Sequence, residues 1–339
     1  MSTPLTLALV GFWHVHAEDY ANQVRELESA RIAVAWDDDV DRGREGAAAL
    51  ELPFESDLDA ILARDDIDGI IVTTSTAAHV DVIGRAIAAG KHVFTEKLLA
   101  PTVPECEALI AAAEQAGISL VVSLPRLAEG LTSTVGELID SGRLGEITYT
   151  RVRLAHDGSV AGWLPERFYD RDAAIGGALT DLGCHAVYLT QRLLGSVPES
   201  VTAVYSSVTG QQLEDNAIVI MGYEGGALGV AESSNVTTPG ASTIEVRGTK
   251  ASVVYGFAGR GLVGKGESFD AESWVDVPLA DDAVNPMEAW LASIDSGDRL
   301  AANNAAAVEL TRLVVAANES ASSGRSFDYA ASSSTNAKD

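Results

Sequence analysis

The sequence predicts an α/β chain of two domains: a doubly wound parallel sheet first, then an α+β domain with an open, mostly antiparallel sheet. Three observations carry this. Short runs that are apolar throughout alternate with helical stretches over the first 123 residues, as a parallel sheet covered on both faces requires. After Pro125 the strand-like runs switch to period two, the mark of a sheet with two unlike faces. The length of 339 residues exceeds what one domain usually holds.

The elements follow in order. Leu5–Val10, Arg31–Trp36, Ile67–Thr73, His92–Thr95 and Ile118–Ser123 read as strands, separated by helices at Ala17–Leu27, Val80–Ala89 and Val103–Ala116. Gly90 and Gly117 stand just past two of these helices, where a left-handed stop residue belongs. In the second part, Ile147–Leu154, Val201–Ser207, Ala217–Tyr223, Leu228–Ser234, Thr243–Arg247 and Ser252–Tyr255 alternate, with a helix at Leu179–Leu194 among them. The expected division is 1–124, 125–325 with a last helix at Ala305–Ser320, and a disordered Ser/Ala-rich tail over 326–339.

Composition narrows the function. With 49 acidic and 23 basic residues the net charge is −26, which repels nucleic acid and anionic membrane surfaces. Cys106 and Cys184 form no paired motif, no apolar run spans a bilayer, and the N-terminus lacks a signal-peptide pattern. A cytoplasmic protein without membrane or nucleic-acid partners is expected.

The first strand runs into Gly11-Phe12-Trp13-His14-Val15-His16. A dinucleotide fingerprint places glycines at the first, third and sixth of these positions, and here only Gly11 remains. The turn nevertheless opens a βαβ unit, and the second strand ends in Asp37, placed either to accept from adenosine ribose hydroxyls or to cap a helix. An acid there favours NAD over NADP, with Arg42 close enough to keep NADP possible. His14 and His16 lie at the phosphate turn, and Thr74, Ser75 and His79 follow the third strand. Glu96 and Lys97 end the fourth strand, on the rim where doubly wound sheets bind ligands.

A second constellation is Gly176-Gly177-Ala178-Leu179-Thr180-Asp181-Leu182-Gly183-Cys184-His185. Asp181 and His185 are spaced i, i+4, so one helix face carries both among small and apolar neighbours. A third ligand at suitable spacing is lacking, so an acid/base site is expected and no metal. Further substrate candidates are Arg126 after the fifth strand and His156, Trp163, Arg167 and Tyr169 in the segment before the glycine pair.

These motifs resemble the glucose–fructose oxidoreductase/inositol dehydrogenase (Gfo/Idh/MocA) family over nearly the whole chain. Gly90–Lys97 is close to the family's GKHV-x-x-EKP and Gly176–His185 to its GG-x-x-x-D-x-G-x-H. Thr73–His79, Gly142–Glu146 and Gly248–Val253 add support. The resemblance implies that Lys97, Asp181 and His185 form the catalytic group, that the second domain carries substrate and subunit contacts, and that the protein is a homodimer or homotetramer. Leu98 replaces the proline of EKP, and Tyr188 stands where many members carry an acid. The expected function is hydride transfer between NAD, or NADP, and a secondary hydroxyl of a sugar, polyol or sugar derivative. His185 serves as base, Lys97 steadies the alkoxide, and Asp181 orients the histidine or a neighbouring hydroxyl. Two alternatives stand beside it: an oxidative glycoside-cleaving enzyme that recycles its NAD, and a non-catalytic sensor with a degenerate cofactor turn.

Overall fold

A computed structural model describes residues 4–330 except 196 and 270. Its chain packs into two units. The first comprises residues up to Leu124 together with Asp172–Ile175 and Val284–Thr311; the second comprises Pro125–Arg171, Gly176–Ala283 and the chain from Arg312 onward.

In the first unit, β1 (Leu5–Val10), β2 (Ala30–Trp36), β3 (Gly69–Val72), β4 (His92–Thr95) and β5 (Leu120–Val122) form a parallel sheet in the order β2-β1-β3-β4-β5. The order reverses between β1 and β3, so the connections leave in opposite directions there and open the crevice that suits a ligand. β1 and β3 are buried almost residue for residue, which is why they read as unbroken apolar runs. Leu7, Leu9, Ile71 and Phe94 pack with Tyr20, Ala21 and Val24 of the helix Ala17–Arg25.

Helix Pro286–Ser296, far along the chain, returns to this core. Its Met287 and Trp290 are completely buried in the same cluster, and the Trp290 indole donates to the Ser119 carbonyl at 3.3 Å. The expectation of a single cut at 124/125 is corrected by this return: the large apolar area of a tryptophan outweighs sequence distance.

The second unit is built on nine strands. They are β6 (Ile147–Ala155), β7 (Ser200–Ser206), β8 (Asn216–Gly222), β9 (Leu228–Ser234), β10 (Ala241–Gly248), β11 (Ala251–Tyr255), β12 (Val263–Gly266), β13 (Ala271–Asp276) and β14 (Phe327–Asp328). Their order is β13-β12-β11-β10-β6-β9-β8-β7-β14. All pairs are antiparallel except β6 with β9. β8 alternates buried and exposed along its length, as its period-two pattern requires.

The disordered tail expected from residue 326 is corrected at its start. β14 pairs with β7, and Tyr329 is completely buried with its N–H donating to the Glu199 carbonyl at 2.9 Å. One buried aromatic suffices to dock the segment, whatever the Ser/Ala composition around it. Residues 331–339 of that expected tail lie outside the described residues. The last helix extends over Ala301–Ser323.

Candidate active site

In the first unit the site grows from the turn after β1. Gly11 has φ +105°, and a Cβ there would lie 2.6 Å from the Thr74 nitrogen. Only glycine fits, which explains why this fingerprint glycine is present. The Thr73 hydroxyl bonds the Gly11 carbonyl, and the His14 N–H donates to the Thr73 carbonyl at 2.9 Å. The turn is thus tied to the end of β3. It delivers the chain into helix Ala17–Arg25, whose N-cap residue His16 makes no side-chain cap. Helix-opening amides without a side-chain cap suit an anion.

Trp13, in place of the second glycine, is 6% exposed, so its ring is taken into the protein instead of standing in solvent. Phe12 and Arg42 lead to the acid after β2. Asp37 is buried and its carboxylate is full: Oδ1 accepts from the Asp39 N–H at 2.7 Å and from Arg42 Nη2 at 2.5 Å, and Oδ2 accepts from the Phe12 N–H at 2.5 Å and Arg42 Nε at 3.1 Å. The cap of the following helix Val40–Ala49 is Asp39, not Asp37. The capping alternative for Asp37 is therefore corrected by two positions, because the extended backbone at Asp39 lets its carboxylate reach the Asp41 and Arg42 amides.

Lys97 ends β4 buried among ionisable groups. Its Nζ lies 3.3 Å from His14 Nε2 and 3.8 Å from Glu96 Oε2. The Lys97 N–H donates to Glu96 Oε2 at 3.1 Å, and the Tyr20 hydroxyl donates to Glu96 Oε1 while lying 2.8 Å from Ser123 Oγ. Burial alone would raise the Glu96 carboxyl. The charges of His14, Lys97 and His16 and the Tyr20 hydrogen bond outweigh it and bring it to about 2. Tyr20 moves the other way, well above its ordinary value, through burial and the Glu96 charge. The Lys97–Leu98 peptide is cis.

Sequence reasoning missed Tyr20 and Ser123. The available signal was Tyr20 on the inward face of the helix Ala17–Arg25, a turn below the fingerprint.

His79 is completely buried. Its Nδ1 hydrogen bonds the Leu98 carbonyl at 2.8 Å, and Nε2 has no hydrogen-bond partner among the described residues. Burial lowers its imidazole to about 4, so the ring is neutral. Through this bond the ring braces the backbone of the segment that follows Lys97. Thr74 and Ser75 are buried too, and Thr74 Oγ1 has no partner among the described residues.

His14, His16 and Glu96 bring three possible ligand atoms within 4.8 Å. The two imidazoles stack at 4.8 Å and 29°; His14 Nδ1 lies 3.3 Å from the His16 N–H, and His16 Nδ1 lies 2.7 Å from Asp19 Oδ2. Glu96 is engaged by Tyr20, and the Lys97 amine adjoins His14.

In the second unit, a π-helical turn at Leu179–Gly183 leads into the α-helix Cys184–Leu194. The single α-helix expected over Leu179–Leu194 is corrected here: its first turn is wider, a form that recurs at functional sites. Glu214, which sequence reasoning did not single out, anchors this start by accepting from the Gly177 and Leu179 N–H groups at 3.0 and 3.1 Å. A Cβ at Gly177 would meet the Glu214 carbonyl at 2.1 Å, so glycine is obligatory. The only cue in the sequence was an acid before a strand.

His185, 9% exposed, lies with Nδ1 2.9 Å from the Tyr188 hydroxyl, which in turn accepts from the Arg126 N–H at 3.2 Å. The Arg126 guanidinium pairs with Glu129 at 3.2 Å.

The substrate candidates of this unit form one segment. His156 packs against Trp163 with ring centroids 4.7 Å apart and planes tilted by 50°, and it accepts from the Gly158 N–H at 3.1 Å. Burial lowers its imidazole, against the opposing pull of Asp181 and Asp157. The Trp163 indole donates to Asp157 at 3.2 Å with half its surface exposed. The Tyr169 hydroxyl meets Ser159 at 2.5 Å, and the Arg167 guanidinium lies over the Phe168 ring at 5.9 Å.

In the first unit, a parallel sheet with a phosphate-type turn at its switch point and a buried lysine on its rim define a nucleotide-binding fold. Residues 5–124 match the model of the oxidoreductase family with NAD-binding Rossmann fold, and residues 132–254 match the Gfo/Idh/MocA C-terminal domain. The chain belongs to the Gfo/Idh/MocA family. It is 33% identical over 145 residues to a dTDP-3,4-didehydro-2,6-dideoxy-α-D-glucose 3-reductase of Actinomadura kijaniata, covering 43% of this chain and 42% of that one. It is 26% identical over 329 residues to a D-xylose 1-dehydrogenase (NADP(+)) of Haloferax volcanii, covering 91% and 94%. The matched stretch thus spans well under two thirds of the first relative and nearly all of the second. A crystal structure of a 3-ketoreductase from Actinomadura kijaniata, complexed with NADP and TDP-benzene, shares the fold with a TM-score of 0.82 at 20% identity, over 94% of this chain and 98% of that one.

Proposed function

We propose that this protein is an NAD-dependent dehydrogenase acting on a secondary hydroxyl of a sugar, a polyol or a sugar derivative. One observation carries the reading: Lys97, 4% exposed, is fixed at the carboxyl end of β4 beside the phosphate-type turn. Burying an amine with no task costs several kcal/mol, so its retention points to chemistry.

The helix-opening amides, His14, His16 and Thr74 would hold the diphosphate, and the acids after β2 would meet the ribose. Bound NAD supplies the hydride acceptor. The protein aligns the alcohol and manages its proton. Lys97 would steady the developing alkoxide by electrostatic preorganisation. Asp181 and His185 would handle the hydroxyl proton and a neighbouring hydroxyl, a contribution of roughly a hundred- to ten-thousand-fold. His156, Trp163, Arg167, Tyr169 and Arg126 would shape the sugar subsite, the aromatic faces stacking on a ring.

The assembly we propose is a homodimer or homotetramer, through the sheet face that exposes Val204, Ile218, Ile220 and Leu228.

The test is a panel of aldoses, ketoses and inositols with added NAD and NADP, followed by absorbance. Lys97→Met should cut kcat by at least about a thousandfold while dinucleotide binding, followed by calorimetry, stays within about threefold. Near-normal turnover in that variant, or no reduction of NAD by any alcohol, overturns the reading. Product release with copurified NAD and no net reduction would identify glycoside cleavage instead.

A further inference from the structure

Resting on the reading of His185 as a substrate contact, we infer that Tyr188 is a positioning residue that holds neutral His185 with its proton on Nε2, so that the ring meets the substrate oxygen as a hydrogen-bond donor. The argument is a count of protons. The Tyr188 side chain is 3% exposed, and its hydroxyl has two polar neighbours, the Arg126 N–H at 3.2 Å and His185 Nδ1 at 2.9 Å. A backbone N–H only donates, so the tyrosine oxygen accepts from Arg126. The hydroxyl owns one proton, and His185 Nδ1 is the acceptor left for it. Nδ1 therefore presents a lone pair, and the proton of the neutral imidazole sits on Nε2.

The opposite tautomer would have Nδ1–H and Arg126 N–H both donate to one oxygen, leaving the buried hydroxyl proton without an acceptor. Buried donors without acceptors are rare because they forfeit their hydration for nothing. Burial and the charge of Cys184 also push the tyrosine well above its ordinary value, so it stays a hydroxyl and keeps its proton.

The chain of donors begins at a backbone amide, which no change of pH removes. Arg126 opens the second unit's first turn and Tyr188 lies one helical turn beyond His185, on the same helix face. The edge-on packing of the two rings at 5.5 Å and 74° fixes the imidazole plane as well. An acid at position 188 would act in the reverse sense, accepting from Nδ1–H and turning Nε2 into a base. With tyrosine there, the neutral ring polarises the substrate oxygen, and proton acceptance falls to Asp181. This departs from the expectation that His185 is the base.

The experiment is nuclear magnetic resonance of the full-length protein carrying 15N-histidine, with His185 assigned by its loss in His185→Asn. Two-bond correlations from the ring carbons' protons distinguish the tautomers. The expected result above neutral pH is a pyridine-like Nδ1 and a pyrrole-like Nε2 for His185. A pyrrole-like Nδ1 overturns the inference, whether or not the protein turns over any alcohol. An inactive protein with the expected pattern would instead remove the functional reading and leave the tautomer standing.

Tyr188→Phe supplies the second arm. Losing one net hydrogen bond should let the other tautomer appear and lower kcat by roughly two- to tenfold, with KM within about twofold. An unchanged His185 pattern in a folded Tyr188→Phe protein would show that something else holds the ring, and overturns the role of Tyr188.

Discussion

The turn after β1 and the helix that carries His185 solve the same problem, fixing a polar group out of water, by opposite means. Around Lys97 the first unit gathers charge: Glu96, His14 and His16, with Tyr20 donating to the carboxylate. Around His185 the second unit uses neutral donors, a backbone amide and a tyrosine hydroxyl. Charge clusters are strong and responsive to pH; a chain of neutral hydrogen bonds is weaker and nearly indifferent to it. The contrast makes the surroundings of Lys97 more responsive to pH than the hydrogen bonds that hold the His185 ring.

The largest expected effect comes from deleting the counter-charge. Glu96→Gln leaves Lys97 and His14 buried without their carboxylate, and breaking a buried pair this way costs about 3–5 kcal/mol at neutral pH. The pH dependence has a definite sign. Glu96 lies at about 2 in the folded chain, below the ordinary 4.5, so its contribution is complete above pH 4.5 and is lost as pH falls toward 2. Urea denaturation of the two proteins should show their difference shrinking by about 3 kcal/mol across that window. A gap that stays constant with pH would mean the cluster is held by packing and not by charge.

His79 covers the adjoining window. Its folded value of about 4 lies below the ordinary 6.5 because of burial, so the unfolded chain binds the proton more readily. Stability is complete above pH 6.5 and falls as pH drops toward 4, by about 3 kcal/mol in all. His79→Asn keeps an N–H for the Leu98 carbonyl without a titrating ring. Its stability should decline less than that of the parent between pH 6.5 and 4. Parallel declines would place the acid sensitivity elsewhere.

The same contrast explains what was legible in the sequence. Strands buried on both faces announce themselves, and so do Lys97 on a strand end and Asp181 with His185 at helical spacing, because each rests on local periodicity. What the sequence concealed depends on distant partners. Helix Pro286–Ser296 belongs to the first unit only because Trp290 fits beneath β4 and β5. The Gly-rich strand β12 shows little alternation, and β14 is two residues long. Glu96 shows in the sequence only as a neighbour of Lys97 on the strand's rim; its hydrogen bond comes from Tyr20, contributed by a helix 76 residues earlier. Glu214 reads as any loop acid until its carboxylate is seen under the glycine pair. Tyr188 was noticed as a departure, but its consequence required knowing that a backbone amide points at its oxygen.

The smallest expected effect concerns the acids after β2, where charge and hydrogen bonding act together. Arg42 would invite a 2′-phosphate if it were unpaired, yet its guanidinium lies 2.5 Å from Asp37, 2.6 Å from Asp38 and 3.9 Å from Asp39. One cation among three carboxylates leaves the region negative, and a dianionic 2′-phosphate would have to displace Asp37, whose oxygens each already accept two hydrogen bonds. Each factor of ten in preference needs only about 1.4 kcal/mol, which repulsion between partly exposed charges supplies. NAD should therefore be used with at least about tenfold higher kcat/KM than NADP. The margin should narrow as salt is raised, because screening weakens exposed charges first. Arg42→Ala, which removes the cation paired with these acids, should widen it. Equal efficiency with both cofactors, or a margin indifferent to salt, would show that ribose recognition here follows shape and not the acidic run.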